Sequence, residues 1–180
     1  VLPDELTEEA DTAIYVLSRQ AGEGKDRRVE KGDYLLSDVE EESLRLLSRH
    51  YKKLILVLNC GSVMDLSILD EIRIDAVLFY GQGGMEGGNA LADILTGKVN
   101  PSGKLTDTVA RRYEDYPTAK NFGGMLCNCY REDIYVGYRW ADKQQVKPLF
   151  AFGHGLSYTE FTYGEAKVSK KFVKAGAEVT

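Results

Sequence analysis

In GEGKDRR, residues 22–28, one glutamate stands between two glycines, and Lys25, Asp26, Arg27 and Arg28 follow it. A carboxyl held out on a glycine hinge is suited to general acid/base work. It can give a proton to a departing oxygen and later take one from water. The neighbours of Glu23 oppose that role. Nearby cations lower a carboxyl pKa, whereas a general acid at neutral pH needs it raised. The opposition lifts if Lys25, Arg27 and Arg28 point away or pair with Asp26 and Glu30 while a partner surface dries Glu23. On position alone the plainer reading of Glu23 is a solvated loop carboxylate, since most glutamates are exposed.

Three other groups invite chemistry and are weaker. GQGGMEGGN, residues 81–89, has the look of a phosphate loop but the wrong spacing. A dinucleotide fingerprint from Gly81 needs glycine where Glu86 stands, and a phosphate loop from Gly83 needs lysine where Asn89 stands. Tight strand-to-helix packing explains these glycines better. His154 lies between two glycines in FGHGLSY and reads as a turn histidine, with no Ser or Cys partner set around it. Tyr135, Tyr138, Trp140, Phe150 and Phe152 could stack on sugar rings, but aromatic sets are more often core.

The three cysteines, Cys60, Cys127 and Cys129, are an odd count. Cys127 and Cys129 are too close along the chain for a comfortable bridge. Zinc needs more ligands than His50 and His154 add. The expectation is reduced, structural cysteines in a reducing, cytoplasmic compartment.

The elements that position these residues follow from periodicity. The runs TAIYVLS (12–18), LILVLN (54–59) and DAVLFY (75–80) are short and almost wholly apolar. Such runs predict strands buried on both faces of a parallel sheet. Between them, Ser37-Asp-Val-Glu40 is a capping box, and Leu44, Leu47 and Tyr51 then share one helical face. Ser62-Val-Met-Asp65 is a second possible helix start. A third helix is expected over residues 86–95, stopped by Gly97 with Lys98 beside it. Strands alternating with helices predict right-handed βαβ units and an α/β fold, a mostly parallel sheet with helices on both faces. Residues 118–129 are polar and Gly-rich, which predicts a long loop. Residues 166–169 and 177–180 read as strands of a separate β element. In such a sheet, ligands gather beyond the carboxyl ends of the strands, where the loops at 19–34, 60–62 and 81–88 fall.

The bulk numbers set outer limits. The 180 residues suffice for one domain with a real core. A net charge of −5 argues against a nucleic-acid partner, which needs a basic footprint. No apolar run approaches the roughly 20 residues that span a bilayer, so no membrane partner is expected.

GEGKDRR with KGDYLLS after it, GQGGMEGGNALADILTGKVNPSGKL (81–105), and EDIYVGYRW followed by PLFAFGHGLSYTEF (132–161) together resemble the C-terminal α/β-sandwich domain of family 3 glycoside hydrolases, the β-glucosidase-like enzymes. Order and spacing match as well. The resemblance divides the chain into an α/β domain over 1–161, incomplete at its N-terminus, and the start of a fibronectin type III-like β domain over 162–180. It implies a retaining mechanism on terminal β-linked sugars, with two carboxyl groups. Its Glu-Gly-x-Asp-Arg motif falls on Glu23, Gly24, Asp26 and Arg27, which assigns Glu23 as the acid/base. The nucleophilic aspartate belongs to a (β/α)8 barrel domain of the same polypeptide that these residues do not include. The implied partners are therefore a carbohydrate substrate and that barrel, and no metal or organic cofactor is implied. Thr106 stands where the family often has proline. The rival reading is a non-catalytic scaffold or carbohydrate-binding module that covers a partner domain.

Overall fold

The computed structural model describes residues 6–20, 24, 26–124 and 126–179. Three strands, β1 (Thr12–Ser18), β2 (Lys53–Asn59) and β3 (Ala76–Phe79), form a parallel sheet in the order β1-β2-β3. The register runs Ala13↔Leu54 to Ser18↔Asn59, and Ile55↔Ala76 to Leu58↔Phe79. All three strands fall where the apolar runs place them.

The connections give the sheet its layers. Helix α1 (Asp38–His50) starts at the Ser37 capping box: Glu40 N–H donates to the Ser37 hydroxyl at 3.3 Å and Ser37 N–H to the Glu40 carboxylate at 2.8 Å. Two backbone donors at the helix start are thereby satisfied. The helix buries Leu44 and Leu47 against one sheet face, with Leu17, Leu54, Leu56 and Leu58 in the same core. Because side chains alternate across a strand, the opposite face carries Ile14, Val16 and Val57. Val57 is buried there, while Ile14 and Val16 on the β1 edge remain about half exposed, at 49% and 51%.

The segment from Ser62 departs from expectation. It does not start an α-helix. Met64, Leu66 and Ile68 are all buried, a period of two, and only a 3₁₀ turn follows at Ser67–Asp70. Asp65 accepts from the Ser67 amide at 3.1 Å and hydroxyl at 2.6 Å, so it closes a local turn rather than a helical cap. Helix α2 (Gly87–Leu95) matches the third expected helix. Gly97 follows it at φ +75°, the left-handed conformation that ends many helices, and Lys98 N–H returns to Asp93 O at 2.8 Å.

Beyond α2 the chain returns to the core at Val109, which bridges antiparallel to Phe150. The expected long loop is present: among the described residues no helix or strand lies between the 3₁₀ turn at Tyr113–Asp115 and helix α3 (Tyr138–Gln144). The strands expected at 166–169 and 177–180 are not found. Residues 163–179 are exposed and form no β-ladder, and a strand is not stable until it is paired. Residue 180 lies outside the described residues.

Candidate active site

The loops after β1, β2 and β3 all leave the carboxyl end of the sheet, and two guanidinium groups tie the first of them down. Arg19 directly follows β1. It grips Glu40 with both terminal nitrogens at 2.7 Å, and its Nε donates to Asp33 O at 2.8 Å. The pair is largely withdrawn from water, the Arg19 side chain being 7% exposed and that of Glu40 19%. Burial acts to raise the Glu40 carboxyl, but the Arg19 and Ser37 hydrogen bonds and the Arg19 charge outweigh it and hold the pKa below its ordinary value.

Arg27 holds the far side. Its Nε donates to the Asp33 carboxylate at 2.8 Å, and another nitrogen bonds the Asp33 carbonyl. A third nitrogen reaches across to the loop after β2, donating to Ser62 Oγ at 2.8 Å and Val63 O at 3.0 Å. Asp33 also accepts from Arg28 N–H at 2.8 Å. These bonds, that from Arg27 first, hold the Asp33 carboxyl below its ordinary pKa. Asp65 N–H donates to Tyr34 O at 2.9 Å, and Tyr34 and Leu36 close the end of the loop in the core.

Glu23, with Gly22 and Lys25, lies outside the described residues. Its neighbours clarify the electrostatic conflict. Arg28 approaches Glu30 at 3.7 Å, as expected, but Arg27 pairs with Asp33 rather than with Asp26. Either way, the charge of Arg27 is spent on an acid within the loop. Gly24 sits at φ +81°, a backbone conformation that favours glycine.

The loop after β3 shows why its glycines are needed. A Cβ on Gly83 or Gly87 would run into the Tyr80 hydroxyl, so the Tyr80 ring lies across the turn into α2. This is the packing reading of GQGGMEGGN. His154 also sits where expected, in a turn: its N–H donates to Ala151 O at 3.0 Å, and its ring stacks on Phe150 at 5.2 Å. The aromatic set divides. Phe150 packs on the core, Trp140 is partly buried, Tyr135 lies under the Lys143 ammonium at 3.5 Å, and Tyr138 and Phe152 stack together in solvent at 5.1 Å. The cysteines divide as well. Cys60 is buried and fits a structural role, while Cys127 and Cys129 are exposed and do not. Among the described residues no group of three or more His, Cys, Asp or Glu could hold a metal.

The Arg19–Glu40 and Arg27–Ser62 pairings escape sequence reasoning because the partners are 21 and 35 residues apart in the chain. The one local signal was the capping-box glutamate, whose carboxylate also serves Arg19.

The model of the glycosyl hydrolase family 3 C-terminal domain matches residues 3–158. The chain belongs to that family. Similar curated proteins are a β-glucosidase of Ruminococcus albus, 45% identical over 86% of this chain and 16% of its own length, and β-glucosidase A of Butyrivibrio fibrisolvens, 37% identical over 99% of this chain and 25% of its own. Among solved structures, β-glucosidase 3B from Thermotoga neapolitana in complex with glucose aligns with TM-score 0.83 and 43% identity, over 89% of this chain and 24% of that one. A β-glucosidase from Paenibacillus barengoltzii aligns with TM-score 0.85 and 43% identity, over 91% and 18%. The family 3 domain described here thus spans about a sixth to a quarter of the relatives it matches.

Proposed function

We propose that this family 3 domain is part of a retaining β-glucosidase-like enzyme acting on terminal β-linked sugars. Its Glu23 is the general acid/base, and the nucleophile is an aspartate of a barrel domain of the same polypeptide. The observation that carries this reading is the family match over 3–158 to proteins named β-glucosidases, with the Glu-Gly-x-Asp-Arg pattern inside the matched span.

The chemistry then runs in two steps. Protonated Glu23 gives its proton to the glycosidic oxygen while the aspartate attacks the anomeric carbon, and the aglycone leaves as its alcohol. The Glu23 carboxylate next takes a proton from water, whose oxygen displaces the aspartate and frees the sugar. The domain's part is to hold one carboxyl at a fixed reach. Arg19 and Arg27, before and after Glu23 in the chain, anchor the loop through their pairing with Glu40 and Asp33.

Glu23→Ala in the full-length enzyme tests the assignment. Substrates with poor leaving groups need protonation as the bond breaks, so their turnover should fall by about 10²–10⁴-fold. Activated aryl glycosides should lose far less in the first step. The glycosyl–enzyme should then accumulate, and azide, which needs no deprotonation, should restore turnover. A uniform loss across leaving groups, with no azide rescue and an unchanged circular dichroism spectrum, would leave the loop as a domain brace and remove Glu23 from the chemistry.

A further inference from the structure

The loop between the Tyr113–Asp115 turn and α3 brings two thiols together. Cys127 Sγ and Cys129 Sγ lie 3.9 Å apart, and both residues are exposed. The loop is braced around them, for Asn121 Nδ2 donates to Cys129 O at 2.6 Å. Gly124 meets the Cys127 carbonyl so closely that a Cβ there would collide with it, so the turn into the pair depends on that glycine. The remaining cysteine, Cys60, is 8% exposed, and burial pushes its thiol pKa up, against the weaker opposite pull of Arg27 and Arg19.

We propose that Cys127 and Cys129 form a reversible redox site, a dithiol that reduces a small-molecule disulfide of the glutathione type and closes into an intramolecular disulfide. One cysteine thiolate attacks a sulfur of the small disulfide. The S–S bond there breaks, one small thiolate leaves, and a mixed disulfide forms. The second cysteine thiolate then attacks the protein-bound sulfur and expels the other small thiolate. The protein gives up two electrons and two protons, and the small disulfide takes both as it becomes two thiols. The second attack is intramolecular and starts from thiols already side by side, so the mixed disulfide is short-lived. To bond, the sulfurs need to close from 3.9 Å to about 2.0 Å. The ring encloses only Asn128 and is strained, which makes the disulfide labile and easily reduced rather than structural. The pair is thus a dithiol under reducing conditions and responds when small disulfides accumulate.

The test treats the native full chain with oxidised glutathione, quenches with acid, alkylates in denaturant and maps tryptic peptides by mass. Residues 121–131 form one such peptide, which holds both thiols and excludes Cys60. The expected product is that peptide about 2 Da lighter and unalkylated, regenerated by dithiothreitol, with Cys60 still fully alkylated. Cys127→Ser and Cys129→Ser should each stop at the mixed disulfide, about 305 Da heavier. Three results would overturn the proposal: a wild-type chain that also stops at the mixed disulfide, one that forms only intermolecular dimers, or one whose 121–131 peptide stays reduced where an exposed control thiol reacts.

Discussion

Oxygen Oε2 of Glu40 accepts both the Ser37 amide at 2.8 Å and an Arg19 nitrogen at 2.7 Å, and Oε1 takes the other end of the Arg19 fork at 2.7 Å. One carboxylate therefore starts α1 and anchors the loop that follows β1. Glu40→Gln separates the two roles, because glutamine also serves in a capping box. It leaves the Arg19 guanidinium poorly matched where little water reaches it. With Glu40 19% exposed, we expect a loss of about 2 kcal/mol at neutral pH, below the range for a fully buried pair. The pH dependence has a definite sign. The folded carboxyl is held below its ordinary value of 4.5, so the ion pair contributes its full stability above that pH and loses it as pH falls through the folded value. Denaturant titrations of both proteins should show a constant gap from pH 6 to 7, closing as acid protonates Glu40. A gap that stayed open or widened in acid would mean that something other than the ion pair accounts for the loss.

At the scale of elements, the sheet centre and its β1 edge differ in what covers them, since Val57 is buried on the face where Val16 is not. Leu56 is fully buried under α1, whereas Val16 on the opposite face is 51% exposed. Leu56→Ala removes packed methylenes and leaves a cavity, and should cost about 3 kcal/mol. Val16→Thr changes a half-solvated edge position and should cost under about 1 kcal/mol. Chemical denaturation of the two variants decides this, and equal losses would mean that the β1 face is packed in solution. The same contrast marks what could be read in advance. β1, β2 and β3 were legible because a continuous apolar run of strand length has few alternatives, and α1 because its capping box and its Leu44, Leu47, Tyr51 stripe agree. Ser62–Asp65 resembles a helix start because a serine stands three residues before an acid, but the burial of Met64, Leu66 and Ile68 at every second position lacks the spacing of a helical face. The anchors of the loop after β1 were legible only in Glu40, through its capping box. Arg19 and Glu40 are 21 residues apart and Arg27 and Ser62 are 35 apart, so only the folded sheet brings them together.

At the scale of the whole molecule, the question is what these 180 residues can do unaided. A retaining glycosidase needs two carboxyl groups about 5–5.5 Å apart, one to bond the sugar and one to move the proton. On the reading proposed here, the chain carries only the second. A (β/α)8 barrel takes about 250 residues, more than the 180 present. General acid catalysis alone contributes about 10²–10⁴-fold, far short of what glycoside hydrolysis requires. The purified chain should therefore hydrolyse an activated aryl β-glucoside no faster than buffer does, even at high protein concentration. Glu23→Ala in the same chain serves as the control. Residual turnover that is equal in both proteins and fades on further purification comes from a contaminant. Turnover that tracks with the wild-type chain and disappears in Glu23→Ala would show that these residues hold a complete active site, and the division of carboxyls between two domains would have to be abandoned.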